Sequence, residues 1–422
     1  MTRALFALIA AALPLGACAT TNSADGVSSA RPVPMAQPAA PGKARNVILF
    51  IGDGMGISTI TAARIYEAQK RGETGEENSL SFEKFDNVAL VKTYNTNAQV
   101  PDSAGTATAM HSGLKTRIGV LGIGPDAEKG VCRDALAHPL PLLGEEVKQR
   151  GLALGIVTTT RLTHATPASV VTRSADRDWE ADSNIPADQQ GQGCKDIALQ
   201  FAETQFDVAL GGGTSVFYGK DKERAGRRID AAADLPAQWA AANGGSVVKT
   251  AAELAAAPMD RPVLGLFNPG HLTFMADRKA DSVEPTLTDM TAQAIERLKS
   301  DPDGYYLMVE GGRIDHAHHA GQAGYALEEA VELARAVQYA VDNTDPAETL
   351  IMVTADHSHV FTIAGYPQRG NDILGLVVPP KGSGEDGGDG TTPLLAADGR
   401  PYTTLGYANG PGGLRLDPDA SD

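Results

Sequence analysis

Short apolar runs that end in glycine or an acid, each followed by a stretch that reads as helix, recur along this chain. Residues 46–51 form such a run, ending in Gly52-Asp53-Gly54-Met55-Gly56, and residues 59–70 then read as a helix. A buried strand, a glycine turn and a helix open a parallel α/β sheet. The same grammar returns at 152–158, at 208–210 leading into Gly211-Gly212-Gly213, at 263–267, at 305–309 and at 350–353. Residues 287–299 and 325–341 read as helices between them. Acidic residues and histidines cluster after the later runs, where open parallel sheets place their ligand sites. The expected class is therefore α/β. No internal repeat is evident, and residues 382–390 read as a Gly/Asp-rich surface loop.

The two ends depart from this grammar. Arg3 followed by the apolar run 4–15 reads as an export signal, too short to span a membrane as a helix. Leu15-Gly16-Ala17-Cys18 resembles a lipobox, whose cysteine is lipidated after cleavage; a plain secretory signal is the alternative. The expected division is a signal peptide at 1–17, a Ser/Pro/Ala/Thr-rich tether at 18–45 and a catalytic domain at 46–422. An exported protein follows, periplasmic or membrane-anchored as a lipoprotein. The length of 422 residues suits one large domain or two smaller ones. A net charge of −16 argues against nucleic-acid binding, which rests on clustered Lys and Arg. Any positive charge for an anionic substrate must then be local, from metal ions or a single arginine. Beyond Cys18 the chain has Cys132 and Cys194, which read as one disulfide in an oxidising compartment, with two separate buried thiols as the alternative.

Four segments carry chemistry. Asp53 sits at a strand end between glycines that let backbone and ligands approach closely. Ser103, in Pro101-Asp102-Ser103-Ala104-Gly105, opens an Ala/Thr-rich helix. There its hydroxyl lies near the positive end of the helix dipole, which favours phosphate and an alkoxide; alternatively Asp102 or Ser103 only caps the helix. No histidine follows at a spacing that declares a Ser-His-Asp arrangement, so activation is expected from elsewhere, namely a metal. In Glu310-Gly311-Gly312-Arg313-Ile314-Asp315-His316-Ala317-His318-His319, a helix would put Asp315 and His319 on one face, able to grip one ion. Glu310, directly off a strand, suits a harder cation. Asp356 and His357, in Thr354-Ala355-Asp356-His357-Ser358-His359, are again zinc-type donors at a strand end.

Together these motifs (GDGMG, PDSAGTATA, TTTRLTHATPA, EGGRIDHAHH and TADHSH) resemble the alkaline phosphatase family, in its histidine-rich branch, over roughly residues 46–413. The resemblance implies a three-layer α/β/α sandwich around a central, mostly parallel sheet, and usually a homodimer. It implies hydrolysis of phosphate monoesters through a phosphoserine on Ser103, with two Zn²⁺ and one Mg²⁺. Carried over by position, Asp53, Asp356 and His357 match the ligands of the zinc that touches Ser103, and Asp315 and His319 match two ligands of the second zinc. Asp53, Thr166 and Glu310 match the magnesium site. Arg177 matches the arginine that holds the phosphate oxygens, His164 and His316 match neighbouring positions that tune metal preference, and Cys132 with Cys194 matches a disulfide.

Two departures stand out. The family's second zinc takes a third ligand, a histidine near the C-terminus, whereas the last histidine here is His359. The expectation is a chain missing its C-terminal part, with Asp315 and His319 alone at that zinc and poor turnover. Asn268 stands where a calcium-binding acid is expected, so no calcium site is expected. The competing readings are a phosphodiesterase or sulfatase on the same scaffold, and a catalytically weak phosphate-binding lipoprotein.

Overall fold

Six strands realise the apolar runs and a seventh, β4, joins them: β1 (Asn46–Gly52), β2 (Ala153–Arg161), β3 (Val208–Gly212), β4 (Ser246–Val248), β5 (Val263–Leu266), β6 (Tyr305–Gly311) and β7 (Thr349–Ala355). The computed structural model of the protein describes residues 44–383 and 388–409. The expected signal segment, Cys18, the tether up to residue 43 and the acidic end at 417–422 lie outside the described residues. The spatial order of the strands is β4-β5-β3-β2-β6-β1-β7, and every described pairing among them is parallel.

Both faces of this sheet are covered, which explains why its central strands are continuously apolar rather than alternating. Successive side chains still point to opposite faces. Ile48 and Phe50 of β1 and Leu307 and Val309 of β6 enter one core, with Ile295 of helix Leu287–Leu298 and Val331 of helix Ala323–Asn343. Leu49 and Ile51 of β1 and Tyr306 and Met308 of β6 enter the other, with Phe201 and Trp239 from helices on that side. The result is an α/β/α sandwich. Helix Leu287–Leu298 starts where a reciprocal cap forms: Thr286 Oγ1 accepts from Asp289 N (3.0 Å) and Asp289 Oδ2 from Thr286 N (3.0 Å). Edge strand β7 is more open, leaving Leu350 and Met352 45% and 39% exposed.

A separate antiparallel ribbon pairs β8 (Phe361–Ile363) with β9 (Leu405–Tyr407). Cys132 and Cys194 form one disulfide across 62 residues, packed with Ala175 and Trp179, so the alternative of two free thiols is set aside. Among the described residues, no helix is long and apolar enough to cross a membrane.

Candidate active site

Parallel register brings the first three acids together. β1 lies between β6 and β7, with Gly52 level with Gly311 on one side and Ala355 on the other. Asp53, Glu310 and Asp356 therefore leave the C-terminal edge on three adjacent strands, and all three are fully buried. Gly54 is required twice over. Its φ is +65°, and a Cβ there would lie 2.8 Å from Asp315 Oδ1. That close approach brings the turn after β1 against helix Arg313–His319, while Gly54 N donates to Asp356 Oδ1 (3.0 Å).

Ser103 is the first residue of the helix Ser103–Ser112, and the cap is Asp102, whose Oδ1 accepts from Gly105 N (3.1 Å). Capping by its neighbour leaves the serine hydroxyl free to turn elsewhere. Ser103 Oγ donates to Asp53, 3.1 Å from Oδ1 and 3.2 Å from Oδ2, and stands 3.4 Å from His357 Nε2. The other oxygen of Asp102 accepts from Gly119 N (3.0 Å) and from Arg177 Nη1 (3.1 Å). Arg177 Nη2 also donates to His164 Nε2 (3.1 Å). A guanidinium only donates, so His164, when neutral, carries its proton on Nδ1.

Helix Arg313–His319 bears out the expected i, i+4 pair, with His319 Nε2 3.3 Å from Asp315 Oδ2. A further histidine stands beside this pair. His359 Nε2 lies 3.8 Å from Asp315 Oδ1, and the ligand atoms of Asp315, His319 and His359 all fall within 4.8 Å of one another. The other two histidines of the helix point elsewhere. His318 is buried between Thr59 Oγ1 (2.9 Å) and Tyr407 OH (2.9 Å). His316 Nδ1 accepts from Arg313 Nη1 (3.0 Å), and its ring packs on His271 at 4.3 Å and His164 at 5.2 Å between centroids. Arg313 is held in turn over the Phe274 ring at 3.5 Å. Two further groups of three donors converge equally closely: Asp53, Asp315 and His357, and Asp53, His164 and Glu310.

So many buried acids need a cation. Burial first, then the charges of Asp356, Asp315 and Glu310, push the Asp53 carboxyl well above the usual carboxylate range. Burial also raises Glu310 to about 7, against the lowering effect of its hydroxyl neighbours Thr158 and Thr166. Asp315 is also raised by burial, but the hydrogen bond and charge of His319 outweigh this and hold it at about 2. Burial keeps His164 and His316 uncharged. Glu310 Oε1, Asp315 Oδ1 and His164 Nδ1 are buried without a hydrogen-bond partner. Thr166 Oγ1 leans towards Glu310 without a well-formed hydrogen bond. Orphaned buried oxygens beside neutral imidazoles are the donor set that divalent cations fit, hard ones at Glu310 and zinc-like ones at the histidines. Asn268, by contrast, donates its amide to Glu284 Oε1 (2.6 Å), so a hydrogen-bond donor meets the acid there.

Ser103, Arg177, His164, His319 and His357 line one open cavity of about 750 Å³. Every residue singled out from sequence as catalytic or metal-binding lies in or beside it, except Thr166, which sits behind it facing Glu310. Sequence reasoning did not foresee Asp102 as the brace of Arg177, nor His359 and His271. An Asp before a helix reads as a cap, and nothing local ties it to an arginine 75 residues away.

A family model described as alkaline phosphatase matches residues 44–415. The tissue-nonspecific alkaline phosphatase of Gallus gallus is 45% identical over 387 residues, covering 87% of this chain and 71% of that protein. Its counterpart in Homo sapiens is 43% identical with the same coverage. The crystal structure of the alkaline phosphatase of Thermus thermophilus matches with a TM-score of 0.63 at 30% identity. That match covers 79% of this chain and 64% of the Thermus chain.

Proposed function

The chain belongs to the alkaline phosphatase family, and from that premise we propose that it hydrolyses phosphate monoesters through Ser103. The observation that carries the reading is the placement of Ser103 Oγ at a helix N-terminus, hydrogen-bonded to Asp53, with Arg177 on the same cavity. Arg177 receives the phosphate oxygens, because guanidinium binds them through paired N–H groups and stays charged at alkaline pH. Ser103 Oγ attacks phosphorus as its proton passes to Asp53, the bond from phosphorus to the ester oxygen breaks, and that proton leaves on the ester oxygen as the alcohol. Water then attacks the phosphoserine, returning the Ser103 hydroxyl and releasing phosphate.

Asp53, Asp356, His357 and Ser103 would hold one zinc, Asp315 and His319 a second, and Asp53, Thr166 and Glu310 a magnesium. His164 and His316 stand beside these sets, positioned by Arg177 and Arg313 to tune them. Bound there, the cations would stabilise negative charge on the attacking and departing oxygens.

The working unit is a homodimer on this reading. Val88, Leu90 and Val91 are 95%, 91% and 69% exposed, an apolar patch suited to a second copy. Export to the periplasm, with lipidation at Cys18, is supported by the leading sequence and by the disulfide. The test is turnover of an aryl phosphate monoester, the diester and the sulfate at pH 9 with Zn²⁺ and Mg²⁺ added. Monoester turnover with ³²P trapped on Ser103 is the expected result; preference for the diester, or equal activity of Ser103→Ala, overturns the reading.

A further inference from the structure

We infer that the Cys132–Cys194 disulfide positions Arg177 and makes the hold on phosphate sensitive to thiols; the inference rests on the reading of Arg177 given above. Arg177 sits in a turn, outside any strand or helix, so its place is set by what flanks it. On one side its segment is bonded to the loop that leads into Cys132. Leu121 and Ser174 exchange backbone hydrogen bonds of 3.0 and 2.9 Å, Arg177 N donates to Gly119 O (2.9 Å), and Gly130 N donates to Ala175 O (2.9 Å). On the other side the segment is bonded to the start of the helix Ile197–Glu203. Ile197 N donates to Trp179 O (2.9 Å) and Ala198 N to Glu180 O (3.1 Å). Cys132 comes just after Gly130 and Cys194 just before Ile197, so the disulfide ties these two walls together.

The bridge also packs on the segment itself, because Cys132, Ala175 and Trp179 share one small core with Cys194 against it. Slack between the walls would reach Arg177 twice. Gly119 O holds its backbone, and Gly119 N donates to Asp102 Oδ2 (3.0 Å), the oxygen that braces its guanidinium. The two sulfurs differ in access: Cys132 is fully buried, whereas Cys194 is half-buried and lines an open cavity of about 550 Å³, separate from the one at Ser103. A small thiolate therefore meets Cys194 Sγ. Attack there forms a mixed disulfide and breaks the Cys132–Cys194 bond, whose electron pair leaves on Cys132 Sγ, already accepting from Cys194 N (3.1 Å). A second thiolate attacks the sulfur of the first, frees Cys194 and departs with it as a disulfide. Two thiols are oxidised, the protein disulfide is reduced, and the two protons end on the cysteines.

The experiment is a double-mutant cycle on the 422-residue chain, crossing Cys132→Ala/Cys194→Ala with Arg177→Ala. It is read by calorimetric titration of inorganic phosphate in excess Zn²⁺ and Mg²⁺. Loss of the disulfide is expected to weaken phosphate binding at least about tenfold where Arg177 is present. Where Arg177 is absent the loss is expected to be less than about twofold, whereas a general loosening of the fold would weaken both alike. Both backgrounds are also reduced in place with glutathione, which supplies the disulfide-free protein if the cysteine variants do not fold. Reduction is expected to match the substitutions, with the glutathione adduct mapped to Cys194 by mass spectrometry. Unchanged phosphate affinity without the disulfide, or equal losses with and without Arg177, overturns the positioning role. No adduct, or one on Cys132, overturns the thiol sensitivity. If Arg177→Ala alone leaves phosphate affinity intact, the reading of Arg177 beneath the inference falls instead.

Discussion

The two halves of the cavity are built on different principles. Around Ser103, the acids come from strand ends, are fully buried and are already knitted by hydrogen bonds of 3.0–3.2 Å through Gly54, Asp53, Asp102 and Arg177. Around Asp315, the donors come from a short helix and a loop, 3.3–3.8 Å apart, and the His319 side chain is 59% exposed. The first half is organised before any ion arrives; the second leaves its donors for the ion to draw together. Preorganised dipoles and donors accelerate chemistry because nothing must reorganise at the transition state. On the proposed reading, the nucleophile stands on the rigid side and the donors for the departing oxygen on the adaptable rim.

Predictions follow the contrast, beginning with the rigid half. Ser103→Ala should lower turnover of an aryl phosphate by on the order of 10³-fold or more, with zinc stoichiometry retained through Asp53, Asp356 and His357. Arg177→Ala should cost about 10²–10³-fold in kcat/KM and weaken inhibition by inorganic phosphate, while Arg177→Lys recovers only part, lacking the paired donors. If Arg177→Ala changes neither quantity, the claim that this half is prearranged for phosphate fails.

A third prediction concerns the footing of the helix Ser103–Ser112. His111, in its last turn, is buried, with Nδ1 3.0 Å from Ala107 O and 2.9 Å from Ser169 Oγ, and Nε2 3.1 Å from Tyr306 OH. Burial holds it near 4, below the ordinary value of 6.5. The unfolded chain therefore takes up a proton between pH 6.5 and 4 that the native state refuses, and stability falls as pH drops through that window. Going from pH 7 to pH 5 should cost about 2 kcal/mol through this group. Urea midpoints at the two pH values should show His111→Asn losing less than the parent; equal losses would remove His111 from the account.

The smallest effect lies in the rim. A chelator should strip zinc in two phases, the faster by about tenfold or more belonging to the exposed Asp315 side. Metal content by mass spectrometry against time checks this, and a single phase would erase the distinction between the halves.

Much of the rigid half was legible because strand ends announce themselves. An apolar run closing on Asp53, Glu310 or Asp356 is a local signal, and a parallel sheet places such ends together. Helix bounds were close as well: 287–299 was read where Leu287–Leu298 forms. The three-residue strand β4 is too short to carry a period and was missed. His359 was hidden for another reason. A histidine beside Asp356 and His357 reads as part of their cluster, yet the chain bends between Asp356 and His359 and sends it to the other half. Likewise, of the histidines in helix Arg313–His319, only the fold decides that His319 faces the cavity and His318 the β8–β9 ribbon.

The register of β6, β1 and β7 has one more consequence. Hydrogen-bonded neighbours in a sheet stand about 4.8 Å apart whatever their side chains. Glu310, Asp53 and Asp356 are carried at or just beyond those strand ends, so the gauge of the cavity floor is set by backbone pairing. Loops around it can lengthen, shorten or change composition without recalibrating that gauge. A lineage of such proteins is then free to diversify its rim, and the alcohols it admits, while the measure of its floor stays constant.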